Sequence, residues 1–116
     1  YKMTRWAANA PALIVMCAKL DIIANRIGKQ IQGTNYYLLD LGIAGEHIAL
    51  QAVEEGLGTC WIGWFNAKKS RKMLNIPRSF RVVAVLAAGY PDPSYKREKE
   101  KLPIDDIVWF NGFKKK

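Results

Sequence analysis

Between residues 35 and 55, polar side chains recur at Asp40, His47, Gln51 and Glu54, spaced seven, four and three apart, while Leu39, Ile43, Ala44, Ile48, Leu50, Ala52 and Val53 occupy the other faces. That spacing draws one narrow polar stripe on a helix that is apolar around most of its girth, so the helix is expected to be largely buried. Gly56 is placed to stop it, because a glycine just past the last turn takes the left-handed conformation that closes a helix. Residues 10–18 (APALIVMCA) are a short apolar run and read as a buried strand. Residues 80–88 (FRVVAVLAA), stopped by Gly89-Tyr90-Pro91, read as a second strand whose continuous apolar character predicts cover on both faces. Residues 59–63 are too short, and too bounded by glycine, for more than a brief strand or extended turn. Asn66 then offers an N-cap for the helix AKKSRKML, which must end before Pro77 because the residue ahead of a proline disfavours helical geometry. Residues 104–113 (IDDIVWFNGF) are a last apolar segment suited to dock as an edge strand, and residues 19–34, broken by Gly28 and Gly33, read as a loop or lid with some helix.

The order strand, long helix, short strand, helix, strand and tail predicts a layered α+β domain. Its sheet is small. Three strands and one dominant helix leave too few elements to cover both faces, so a partner chain or further residues should complete the core. The long helix likewise needs two surfaces to pack against, its own sheet and a second subunit.

Composition adds limits. A length of 116 residues, a mass of 13.1 kDa and a hydrophobic content of 50% fit one small domain. No apolar run approaches the roughly 20 residues that span a bilayer, and no basic-then-apolar leader opens the chain, which points to a soluble protein. The first residue is Tyr1, so the sequence is expected to be the later part of a longer chain. Cys17 and Cys60 lie in separate apolar segments without paired spacing, so neither a metal site nor a disulfide framework is expected. Both are expected to be buried thiols in a reducing, cytoplasmic compartment.

The net charge of +8 is uneven: residues 1–65 carry five basic and five acidic side chains, residues 66–116 thirteen against five. The excess falls in three clusters, namely Lys68, Lys69, Arg71 and Lys72, then Lys96, Arg97, Lys99 and Lys101, then Lys114 to Lys116. The first reads as a solvated helix face and the last as a frayed tail. The middle cluster adjoins a structured segment and reads as an anion-binding group.

Taken together, GLGTCWIGWFN, the short basic helix ending in LNIP, RVVAVLAAGYP, and a charged loop with KEKLP leading into IDDIVWFNGF resemble the C-terminal portion of the FMN-dependent nitroreductase family. APALIVMCA and DLGIAGEHIALQAVEEGLG match upstream and in the same order, so the resemblance covers nearly the whole chain. Each motif alone is loose, since GLG and GYP are common turns; order and spacing carry the resemblance. It implies a nitroreductase-like layered fold: a small, mostly antiparallel sheet with a long buried central helix, completed by a partner chain. On that reading residues 1–116 form a partial domain, and residues 104–116 are an extension that docks on the partner, residues 107–113 adding a strand to its sheet.

The resemblance also implies chemistry. FMN would be the cofactor and NAD(P)H the co-substrate, with ping-pong transfer of a hydride through flavin to nitroaromatic or quinone-like small-molecule acceptors. The protein would be a homodimer with the flavin at its interface. In the family, the segment corresponding to Trp61, Ile62, Gly63 and Trp64 runs along the flavin ring, and a backbone N–H approaches flavin N5; here that donor would come from Gly63 or Trp64. Glycine lets main chain approach a planar ligand, and a fixed donor stabilises charge developing at N5. Without the family, the two tryptophans read as core or interface aromatics. A basic pair just before Leu-Pro contacts the FMN phosphate in the family, and Lys99 and Lys101 occupy those positions ahead of Leu102-Pro103. Lysine supplies a point charge where arginine supplies a bidentate fork, which can shift the work to Arg97; without the family, these lysines read as a solvated loop. The arginine-rich motif on an early helix of the family has no counterpart here.

His47 sits on the polar stripe and reads as structural or interfacial, since flavin hydride chemistry does not require a side-chain acid and no catalytic side chain is assigned. Two other readings stand beside this one. Relatives on the same scaffold dehalogenate, fragment flavin or oxidise azolines. Outside enzymes, the basic second half suits a nucleic-acid-binding module, although its lysines are not interleaved with aromatics as in any recognised one. Neither a nucleic-acid nor a membrane partner is expected.

Overall fold

The computed structural model describes residues 2–20, 33–94 and 100–113. A 3-10 helix (Lys2–Asn9) leads into strand β1 (Ala12–Lys19); the central helix (Tyr36–Glu54), strand β2 (Gly58–Ile62), a short basic helix (Ala67–Met73), strand β3 (Phe80–Gly89) and one turn of helix (Ile104–Ile107) follow. The strands lie in the order β1-β3-β2, and both pairings are antiparallel. β3 is therefore the middle strand, with β1 paired along it from Ala12↔Ala88 to Lys19↔Phe80 and β2 from Gly58↔Gly89 to Ile62↔Val85. A middle strand with both faces covered needs apolar residues at successive positions, which is why residues 80–88 show no alternation. Leu86, at its centre, is 0% exposed.

Register and alternation sort the side chains by face. Ile14, Trp61 and Leu86 point to one side of the sheet; Val15, Ile62 and Val85 point to the other. The first side meets the central helix at Gly45, where an added Cβ would press into the Trp61 indole and lie 2.8 Å from Met16 Cε. On the second side Ile62, Val85 and Ala87 cluster with Ala7 of the 3-10 helix, and Ala10, Val15 and Phe65 pack against them. Burial of Ala7 is what anchors this opening helix, an element the hydrophobic pattern does not announce.

Both long-range helix stops follow the same hydrogen-bond scheme. After the central helix, the Gly56 N–H donates to Val53 O at 3.0 Å and the Leu57 N–H to Ala52 O at 2.7 Å, with Gly56 at φ +72. After the basic helix, the Asn75 N–H donates to Lys72 O at 3.3 Å and the Ile76 N–H to Arg71 O at 2.9 Å, with Asn75 at φ 52. Each is a Schellman closure, the second using asparagine in the left-handed region. The Asn66 side chain caps the basic helix, accepting from the Lys69 N–H at 2.9 Å.

Three expectations change. Within this chain the central helix is buried only along its sheet-facing line, at Gly45 and Ala52, while Leu39, Ile43, Leu50 and Val53 are 54%, 58%, 60% and 68% exposed. Residues 104–113 are not an edge strand of this sheet. Ile104–Ile107 turns as a helix behind Pro103, which pre-sets its entry, with Asp105 and Asp106 favourably placed in the first turn. The cysteines are not both buried either: Cys60 is exposed and Cys17 is half-buried, because β2 lies at the sheet edge. Of the lid expected over residues 19–34, Lys19 ends β1 and the Leu20 N–H donates to Ser79 O at 3.1 Å; residues 21–32 lie outside the described residues. Among the described residues, no helix is long and apolar enough to cross a membrane.

Candidate functional site

β2 ends at Ile62, and a short loop from Gly63 to Asn66 carries the chain into the basic helix. Two side chains fix where that loop begins. Trp61 lies against the central helix at Gly45, and Ile62, 7% exposed, is pulled into the core on the opposite face. Anchors on both sides of the sheet hold the intervening main chain at one height. Beyond them everything opens: Gly63 is exposed, nothing lies within 4 Å of where its Cβ would stand, and Trp64 is 65% exposed. Among the described residues, no backbone acceptor outside the strand ladder takes the N–H of Gly63 or Trp64.

The Trp61-Ile62-Gly63-Trp64 segment thus divides by role. The Trp61 and Ile62 side chains position the turn, and Gly63 with Trp64 presents main chain to open space. A flat ligand can reach the main chain there without displacing protein atoms. Lys101 is exposed on the segment before Leu102-Pro103, and Pro103 O accepts the Asp106 N–H at 3.0 Å as the last helical turn begins. Lys99, with Lys96 and Arg97, lies outside the described residues, as does the tail from Lys114 to Lys116.

His47 belongs elsewhere. It is exposed and, with Gln51 and Glu55, rims a mostly apolar cavity of about 520 Å³ whose walls are Ile14, Ile48, Ala52, Leu57, Thr59 and Ala88. Gln51 Nε2 donates to Glu55 Oε1 at 2.9 Å across that rim. Ile62 itself borders a smaller cavity, about 210 Å³, with Ala7, Leu13, Phe65, Ser70 and Val85. Gly63 and Lys101 line neither.

Among the described residues, two titrating groups are displaced from their ordinary values. Burial pushes the Cys17 thiol up. Ser94 holds the Asp92 carboxyl down, its hydroxyl donating to Asp92 Oδ1 at 2.7 Å and its N–H at 2.8 Å. Among the described residues, no group of three or more His, Cys, Asp and Glu side chains could hold a metal ion. The fold also gathers Lys68, Arg71, Arg78 and Arg81 around one cavity, a grouping that linear clusters of charge do not reveal, since Arg78 and Arg81 stand alone in the sequence.

Comparison with known proteins places this arrangement. The sequence profile of the Nitroreductase family matches residues 3–90. A protein of Archaeoglobus fulgidus that carries the name of an NADH dehydrogenase/NAD(P)H nitroreductase is 32% identical over 102 residues, covering 84% of this chain and 52% of its own length. The chain therefore spans about half the length of the curated relative it matches. Among solved structures, a nitroreductase family protein from Clostridium novyi NT is 42% identical with a TM-score of 0.62, over 72% of this chain and 44% of that one. An FMN-dependent nitroreductase from Clostridium difficile R20291 is 31% identical with a TM-score of 0.65, over 90% of this chain and 60% of that one. The layering of helix on a small antiparallel sheet is common to them.

Proposed function

The chain belongs to the nitroreductase family, and from that premise we propose that it forms part of an FMN-dependent oxidoreductase. NAD(P)H would be the reductant and nitroaromatic or quinone-like small molecules the acceptors. The observation that carries the reading is the turn after β2, where exposed Gly63 and Trp64 follow two hydrophobic side chains that anchor on opposite faces of the sheet. FMN, when bound, would accept a hydride from NAD(P)H and pass the reducing equivalents to an acceptor that enters the same pocket afterwards.

What the chain supplies is placement and charge. The Gly63 or Trp64 N–H would donate to N5 of the ring, from main chain whose height is set by Trp61 on Gly45 and by Ile62 in the core. A donor held this way costs no reorganisation when negative charge develops opposite it. Lys99 and Lys101 would hold the phosphate as point charges. No side-chain acid is assigned, and reduced products would take their protons from solvent.

A homodimer is the assembly this reading carries. A compact monomer of 13.1 kDa presents roughly 6,400 Å² to solvent, whereas this chain presents 10344 Å². The excess is surface for a partner chain, or for the rest of a subunit of which this chain spans about half, to cover. It includes the outer stripe of the central helix and the final segment, where Phe110 and Phe113 are 82% and 75% exposed. We assign the extension over residues 104–116 to docking on the partner and place the enzyme in the cytoplasm, where the free thiols Cys17 and Cys60 remain reduced.

The test is the protein purified with every residue its gene encodes. It should carry a flavin absorbance spectrum, sediment as a dimer and lose FMN when Lys99 and Lys101 are both changed to Gln. A colourless dimer that does not take up added FMN defeats the proposal.

A further inference from the structure

The cavity between the basic helix and the start of β3 has a volume of about 420 Å³ and is lined by Leu20, Phe80, Val82 and Ala67 together with four cations, Lys68, Arg71, Arg78 and Arg81. Among the described residues its lining contains no carboxylate. Three separate elements bring these charges together. Lys68 and Arg71 come from one face of the helix that Asn66 starts, Arg78 from the loop after Pro77, and Arg81 from the second position of β3. The Leu20 N–H, donating to Ser79 O, ties the end of β1 to that loop and closes one wall. The Ile76 N–H, donating to Arg71 O, ties the loop to the helix.

Like charges that converge on one concave surface repel each other, and among the described residues none of the four is in an ion pair. A solvated helix face would spread its charges outward; here Lys69 and Lys72 do so and are not part of the lining. A small, multiply charged anion relieves the repulsion at several cations at once, and three of the four are guanidinium groups, whose planar fork matches phosphate oxygens. The volume falls within the range of small-molecule sites.

We propose that this cavity binds a phosphate- or diphosphate-bearing small ligand, at a site whose described lining includes neither Gly63 nor Lys101. The site does not depend on the flavin reading.

The probe is inorganic pyrophosphate, titrated calorimetrically into the purified full-length protein at low ionic strength. One saturable site is expected, weakening as salt rises. Arg71→Gln combined with Arg81→Gln should lower its affinity at least roughly 10-fold, the loss that removing charge-assisted hydrogen bonds brings. Lys72→Gln, on the same helix but outside the lining, and the pair Lys99→Gln with Lys101→Gln should leave it within about twofold. Arg71→Lys with Arg81→Lys should bind between wild type and the glutamine pair, since it keeps the charge and loses the fork, and circular dichroism should show every variant folded. ADP binding tighter than pyrophosphate at the same residues would identify a nucleotide as the source of the phosphate; equal binding would identify the phosphate group itself, and either result supports the site. No saturable pyrophosphate binding, binding lost in the Lys99 and Lys101 variant but kept in the arginine variant, or arginine-dependent binding of only an oligonucleotide or anionic vesicles would each overturn it.

Discussion

Substituting Gly63 by alanine separates the role of the turn in folding from its role in ligand contact. The added methyl meets no protein atom within 4 Å, and the residue is not among the glycines held at positive φ. Alanine therefore fits the folded chain without strain. Its effect on stability is expected to be neutral, or favourable by about 0.4–1 kcal/mol through the narrowed unfolded ensemble. If a ring lies edge-on to this main chain, the same methyl stands between the ring and its backbone donor. Loss of a hydrogen bond to the uncharged N5 of oxidised FMN is worth roughly 0.5–1.5 kcal/mol, which raises the dissociation constant roughly 2- to 13-fold. The assay is FMN fluorescence quenching on the full-length apoprotein, paired with thermal melts without cofactor. FMN affinity within about twofold of wild type, in a variant that melts at or above wild type, would refute the placement of the ring at this turn. Gly63→Val should weaken FMN further, since a larger side chain in the same open space moves the ring farther.

The remaining expectations concern packing, capping and titration. Gly45→Ala drives a methyl into the Trp61 indole and Met16, so it should cost about 1–3 kcal/mol in urea unfolding, and Trp61→Phe, which withdraws the far end of the ring, should recover part of that loss in a double-mutant cycle. Asn66→Ala removes the acceptor of the Lys69 N–H and should cost about 0.5–2 kcal/mol, while Asn66→Asp should keep the cap. The Asp92 carboxyl is held below its ordinary 3.8 by Ser94. A depressed carboxylate supports the turn at pH values above its unfolded value and loses that support as pH falls through the lower, folded value. The Ser94 amide resonance should therefore titrate below 3.8, and Asp92→Asn should abolish the titration. A thiol-specific reagent should modify exposed Cys60 first and Cys17 slowly, because burial raises the Cys17 thiol and leaves less thiolate; equal rates would contradict this.

Much of the fold could be read from local pattern because the deciding physics is local. Strands β1 and β3 and the central helix lie within about two residues of the expected bounds, since an unbroken apolar run and a helical stripe each report a single environment along their length. The Asn66 cap and the Gly56 stop were legible for the same reason: each acts on residues within one turn. What escaped depends on distant partners. The 3-10 helix rests on Ala7 packing beneath Ile62 and Val85. The exposure of Cys60 follows from β2 lying at the sheet edge, which only the strand order decides. Residues 104–113 have the composition of a strand, but in this chain's sheet no edge receives them. At the candidate site, the glycine between tryptophans was visible in sequence. That Trp61 turns away onto Gly45, leaving Gly63 and Trp64 as the exposed main chain, was not.

The central helix shows why this turn and this surface belong to one design. Residues 41, 45, 49 and 52 share the side that faces the sheet, and after Leu41 they are small, Gly45, Ala49 and Ala52. They are small because Trp61 supplies the bulk from the sheet side, and a larger residue at 45 would push the indole, and with it the start of the Gly63 turn, out of place. Leu39, Ile43, Leu50 and Val53 share a second side, and Asp40, His47, Gln51 and Glu54 form the polar stripe. The residues on that second side are large and exposed, because among the described residues nothing fills the space opposite them. A helix that met only its own sheet would need one apolar face; this one is apolar over a second side too, with the polar stripe bounding the pair along one edge. Its second face calls for a surface as well packed as the first.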